Sequence, residues 1–157
     1  MLERTFKNKW SWDPVQNQWD EKFIALKDFV KKSNSLENFP KNYKGHALKF
    51  WVSNQRNRYK RGKLEKEKIQ TIENHFPKWI WDYNEYLWNK NFNILKSYYK
   101  KIGNSKISEK DKVDGISLGV WIRDQRRKYK EGLLSKEKIS KINKHFLDWD
   151  WNPSKNK

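Results

Sequence analysis

Laid against itself at an offset of 69 to 70 residues, this chain brings all ten of its tryptophans into four columns. Trp19 pairs with Trp88 and Trp51 with Trp121, while Trp10, Trp79 and Trp149 form one triple and Trp12, Trp81 and Trp151 another. Self-similarity at a fixed period is the signature of a tandem array, so the 157 residues read as two copies of one small unit. A unit of this size buries only about 60% of the surface its unfolded chain exposes, and its stability needs help. With no cysteine in the chain, disulfides and thiolate metal sites are excluded as that help. Large aromatic rings, each able to bury roughly 150–250 Å², are the available substitute, and the tryptophans are read first as core.

Each copy follows the same helical grammar. After a Trp-x-Trp element come Asp13-Pro14 and Asp82-Tyr83, with Gln16 and Glu85 three residues past the aspartate, a pattern that resembles a capping box. Trp19, Phe23, Leu26 and Val30 then recur at helical spacing, as do Trp88, Phe92, Leu95 and Tyr99, predicting a first helix over 14–32 and 83–101. The polar loops that follow, Ser33 to Gly45 and Gly103 to Gly115, share almost no sequence; Phe39-Pro40 and Val113 are their candidate anchors. The second helix starts at Leu48 and Leu118 and is ended by Gly62 and Gly132, which suit the left-handed residue that closes a helix. A third helix carries Ile69, Ile72 and Phe76, matched by Ile139, Ile142 and Phe146, with Ser135 as a candidate cap. The fold class expected is all-α: two tandem three-helix modules joined by a short Trp-containing linker. The modules are placed at 13–81 and 82–151, with the end of a further module at 1–12 and a module start or tail at 152–157.

The charge is spread over both copies. The chain carries +17, with 15 Lys and Arg against 8 Asp and Glu over 13–81 and 16 against 10 over 82–151. Such an excess favours a polyanionic partner, nucleic acid first, although a lysine-loaded solvated surface accounts for the same count. Six of the seven arginines lie in or just past the two second helices. At about 100° per residue, Leu118, Trp121, Ile122, Gln125 and Tyr129 share one face, while Arg123, Arg126, Arg127 and Lys130 gather opposite. In the first copy Lys49, Arg56 and Lys60 take that side, with Arg58 and Arg61 nearby. Guanidinium groups suit phosphate because their planar donors engage two oxygens at once. These nine residues are the candidate nucleic-acid contacts; the alternative for Arg56 and Arg126 is an internal partner, a carboxylate or a helix end. Gln55 and Gln125 sit amid the apolar face, and a buried amide there is expected to bond a tryptophan N–H or loop backbone. For base stacking, only Tyr86, Tyr98 and one ring of each Trp-x-Trp pair look available, and Tyr59 and Tyr129 offer hydroxyls at the edge.

The string Leu-Gly-x-Trp-Ile-x-x-Gln-Arg-x-x-Tyr-x-x-Gly-x-Leu at 118–134, followed by an Ile-rich helix ending in Phe-x-x-Trp-x-Trp, resembles the helicase-associated domain. The resemblance covers nearly the whole chain as two copies and implies short all-helical modules, found in tandem beside helicases, with a nucleic-acid-binding role. The first copy departs from it at Lys49, where the family usually has glycine, and His75-Phe76 and His145-Phe146 stand where Gly-Phe is common.

Catalytic chemistry finds little support. Gly62-Lys63 is followed by leucine with no preceding strand, so no phosphate loop is present, and His46, His75 and His145 lack partners at metal spacing. No paired carboxylates or Ser-His-Asp set recurs in both copies. The expectation is a non-enzymatic protein that binds DNA or RNA through its second helices, with no cofactor, no metal and no small-molecule substrate. Its rival is an interaction module that docks on a helicase or another acidic partner. No run of about 18 apolar residues and no apolar signal core occurs, which predicts a soluble intracellular protein, nuclear, nucleoid or cytoplasmic, with no membrane partner.

Overall fold

The computed structural model describes residues 14–153, so the cap expected at Asp13, the partial unit expected at 1–12 and all but the first two residues of the tail expected at 152–157 lie outside the described residues. Among the described residues six helices follow in order: α1 Pro14–Ser33, α2 Leu48–Lys60, α3 Lys66–His75, α4 Tyr83–Ile102, α5 Leu118–Lys130 and α6 Lys136–His145. They fall into two compact units that divide between Asp82 and Tyr83. The expected first helices hold to within one residue at each end, because a strong apolar stripe sets them.

In the first unit Trp19, Phe23 and Leu26 of α1 meet Leu48, Trp51 and Val52 of α2 and Ile72 of α3 in one buried cluster. In the second, Trp88, Phe92 and Leu95 of α4 meet Leu118 and Ile122 of α5 and Ile142 of α6. Trp19 and Trp88 stack on Phe23 and Phe92 one turn later, at 5.0 and 5.1 Å. Their indole N–H groups donate to Gln55 Oε1 (3.0 Å) and Gln125 Oε1 (2.9 Å), so the buried amides are satisfied as the apolar face required. His75 and His145 donate from Nδ1 to the carbonyls of Thr71 and Lys141, both at 2.9 Å, and pack edge-on against Phe23 and Phe92. They are parts of the scaffold.

The second helices end alike. The N–H of Gly62 bonds the Tyr59 carbonyl and that of Lys63 bonds Arg58; Gly132 and Leu133 repeat this on Tyr129 and Lys128. This pair of bonds needs a residue at positive φ, and Gly62 (+64°) and Gly132 (+69°) supply it. Ser135 caps α6 by accepting from the Lys138 N–H at 3.3 Å.

The two loops end alike. Different as their sequences are, both close in the same tight turn, with paired backbone bonds between Tyr43 and His46 and between Val113 and Ile116. The central residues Lys44-Gly45 and Asp114-Gly115 all have positive φ, the requirement of a I′ turn, and glycine at the second position meets it. Phe39 is buried and Val113 packs against the second core, so both anchors are in place.

What fastens each loop differs. In the first unit Asp28 accepts from Tyr43 Oη (2.7 Å) and pairs with Lys44 (2.8 Å) and Lys32 (3.2 Å). In the second, the Ser105 N–H donates to Asp148 Oδ2 at 2.8 Å, and the backbone of Ser108 and Glu109 lies directly on Gly119. A Cβ at Gly119 would overlap the Ser108 carbonyl, so only glycine admits this approach. Lys49, its counterpart, is exposed, and its N–H bonds the Pro40 carbonyl at 3.1 Å.

Candidate nucleic-acid interface

The second helices present their cations through two tiers of side chain. Arg56 and Arg126 turn inward from the expected outer stripe. Arg56 lies over the rings of Trp79 (5.1 Å) and Phe39 (5.8 Å) and donates from Nε to the Ile80 carbonyl at 2.9 Å. Arg126 lies over Trp149 at 5.2 Å and donates to the Asp150 carbonyl at 2.7 Å. Burial pulls the Arg126 pKa down, against the carboxylates of Asp150 and Asp148, which pull it up. Each arginine thus holds the middle carbonyl of a Trp-x-Trp element. The internal alternative weighed for this pair is the arrangement found, though the partner is a backbone oxygen rather than a carboxylate.

The Trp-x-Trp element is accordingly built into the unit that precedes it. Trp79 is buried in the first core, and Trp149 packs against the second. Trp81 and Trp151 lie flat on Tyr59 and Tyr129, with centroids 4.1 and 4.3 Å apart and planes within 9° and 23°. Their N–H groups donate to Glu73 Oε1 and Asn143 Oδ1, both at 2.9 Å. This stack was missed from sequence, although the constant separation of Tyr and Trp in both copies carried its signal. One face of each ring expected to be available is therefore covered. Tyr86 stacks on Tyr83 at 5.8 Å with Lys90 near its face, and Tyr98 is half-buried.

The outer tier comprises the remaining seven predicted residues. Lys49 and Arg61 are exposed; Arg58 donates to the Lys63 carbonyl (3.0 Å) and Glu65 (3.2 Å), and Lys60 stands 3.9 Å from Asp82. On α5, Arg123 pairs with Glu109, Arg127 is held between Asp124 (2.6 Å) and Glu131 (2.7 Å), and Lys130 is exposed. Asp124 first and Glu131 second raise the Arg127 pKa, and Lys128, then Arg127, lower that of Asp124. These carboxylates were not anticipated, although Asp124 and Glu131 stand three and four residues from Arg127, where helical ion pairs form. The pairs are half-exposed, contribute little net stability, and leave the guanidinium groups exchangeable.

Beside α5, a cleft of about 380 Å³ opens toward the loop segment carrying Ile107 and Glu109, with Arg123, Arg127 and Lys130 along its rim. Among the described residues no group of three or more His, Cys, Asp or Glu side chains is placed to hold a metal ion, and no helix is long and apolar enough to cross a membrane.

Among protein families, the model described as "Helicase associated domain" matches residues 16–82 and again 85–152. No curated protein matches the chain, and no solved structure does.

Proposed function

The chain belongs to the helicase-associated domain family, in two consecutive copies, and from that premise we propose that it is a non-catalytic nucleic-acid-binding protein. The observation that carries this reading is the division of labour on the second helices. One arginine per copy is spent on the scaffold, and it holds a helix whose other cations face solvent: Lys49, Arg58, Lys60 and Arg61 in the first, Arg123, Arg127 and Lys130 in the second. A backbone phosphate brings oxygens that match these donors, and displacing an exposed carboxylate from them costs little. The net charge of +17 has the sign that draws a phosphate backbone.

Phosphate contacts release counterions, so log affinity for duplex DNA falls with log salt at about 0.9 per contact. Titration of the chain with duplex DNA, single-stranded DNA and structured RNA at two salt concentrations tests the proposal. Arg123→Ala with Arg127→Ala is expected to lower the slope by about two contacts while the melting curve stays in place. No binding to any of the three at about 50 mM salt sinks the reading. A helicase, or another acidic protein, is the partner in the second reading, which is favoured by one observation: Phe50 is 73% exposed on α2 beside Lys49. Retention of an acidic partner after Phe50→Ser would count against it.

A further inference from the structure

Resting on the nucleic-acid reading above, we propose that the cleft beside α5 seats one unpaired nucleotide of a strand. Its phosphate lies among Arg123, Arg127 and Lys130, and its base or sugar lies against Ile107. At about 380 Å³ the cleft stands near the lower end of the range, roughly 300–1,000 Å³, of sites that enclose small molecules. That suits the base and sugar of a single nucleotide. A duplex offers phosphates but keeps its base faces stacked, so an apolar wall gains nothing from it, whereas an unpaired base has a free face to bury.

The wall is built by a close approach. Because Gly119 has no side chain, the Ser108–Glu109 backbone presses onto α5 and holds half-buried Ile107 at the edge of the second core, on the cleft. The same approach sets Glu109 against Arg123. The carboxylate stands where a phosphate oxygen would, keeps the guanidinium at the rim, and gives it up cheaply, since the two side chains are 50% and 62% exposed. The first copy does not encode this device: Lys49, Ser53 and Asn57 occupy the positions of Gly119, Arg123 and Arg127.

Fluorescence anisotropy of the full chain with a labelled short oligothymidylate, a labelled duplex and a labelled oligoglutamate peptide decides the matter. Glu109→Gln removes the internal competitor and is expected to tighten the single strand by about fivefold, while Ile107→Glu puts a carboxylate on the wall and weakens it by about tenfold. Ile107→Glu leaves duplex affinity, carried by the outer cations of both copies, within about twofold, whereas Glu109→Gln frees one of those cations and tightens duplex as well. If the parent binds duplex and single strand but neither variant changes the single-strand affinity, the cleft is not the seat and only the broader reading stands. If the peptide binds as tightly as the strand and gains equally from Glu109→Gln, the occupant is an acidic peptide and the proposal is overturned. Failure of the parent to bind any nucleic acid removes both readings together. Should Ile107→Glu melt early, Ile107→Ala decides by the same loss of single-strand affinity at unchanged duplex affinity.

Discussion

The two units repeat the same key contacts in their cores and fasten their loops by different means. Trp19 and Gln55 repeat as Trp88 and Gln125, Arg56 and Ile80 as Arg126 and Asp150, and Tyr59 and Trp81 as Tyr129 and Trp151. Yet the first loop is tied by the Asp28 carboxylate to Tyr43 and Lys44, whereas the second is tied by Asp148 to Ser105 and by the backbone pressed on Gly119. The difference teaches which parts can vary. A buried indole N–H must find an acceptor in either copy, so its partner repeats, but a loop can be anchored by any group that reaches it. Surface chemistry diverges where the anchors do, and that is where the cleft of the second unit lies.

The comparison can be broken first at the core. Leu26→Ala and Leu95→Ala each remove a fully buried side chain at equivalent positions and are expected to cost about 2–5 kcal/mol, read from urea denaturation. Unequal losses would show that the cores are less alike than their contacts. Next in size, Gln55→Leu and Gln125→Leu strand a buried tryptophan N–H, and should cost about 1–3 kcal/mol each in the same assay. The anchors themselves are tested by Gly119→Ala, which overpacks α5 against the loop and should cost about 1–3 kcal/mol. Lys49→Ala, at the matching exposed position, should stay within about 0.5 kcal/mol.

The smallest effect expected is a difference in acid response. Lys44 first, then Tyr43, hold the Asp28 carboxyl well below the usual carboxylate range. A depressed folded-state pKa contributes stability that is fully present above the unfolded value, about 3.9, and is lost as pH falls through the folded one. The first loop should therefore loosen only well below about pH 4. Ser97 stands at the counterpart of Asp28, and the carboxylate that ties the second loop, Asp148, binds a backbone N–H rather than a lysine and a tyrosine. Amide chemical shifts of Lys44 and Gly45 followed downward in pH should hold until well below about pH 4 and only then move, and Asp28→Asn should abolish that late step.

Much of this was legible in the residues because it rests on local periodicity. Trp19, Phe23 and Leu26 lie on one helical stripe, Gly62 and Gly132 terminate helices through their own backbone, and Gln55 and Gln125 sit on an apolar face that demands a partner. The inward turn of Arg56 and Arg126 was only one of two alternatives. A helical projection gives the angle at which a side chain leaves the axis, but a long guanidinium goes where a ring and a carbonyl receive it. Both receivers come from residues 23 or 24 positions later, in a segment without regular structure. The pairing of Glu109 with Arg123 was illegible for a similar reason, since a loop fold with no period brings them together.

The arginine that grips each Trp-x-Trp element also defines where a repeat ends as a physical object. By helix content alone the unit stops at His75 or His145, but its aromatic lid arrives only with Trp81 or Trp151. A duplication cut at the last helix would deliver a copy whose arginine and tyrosine face water with nothing to close over them. The smallest segment that can be copied, transplanted or grafted into another chain as a self-sufficient part therefore runs through the second tryptophan of the pair.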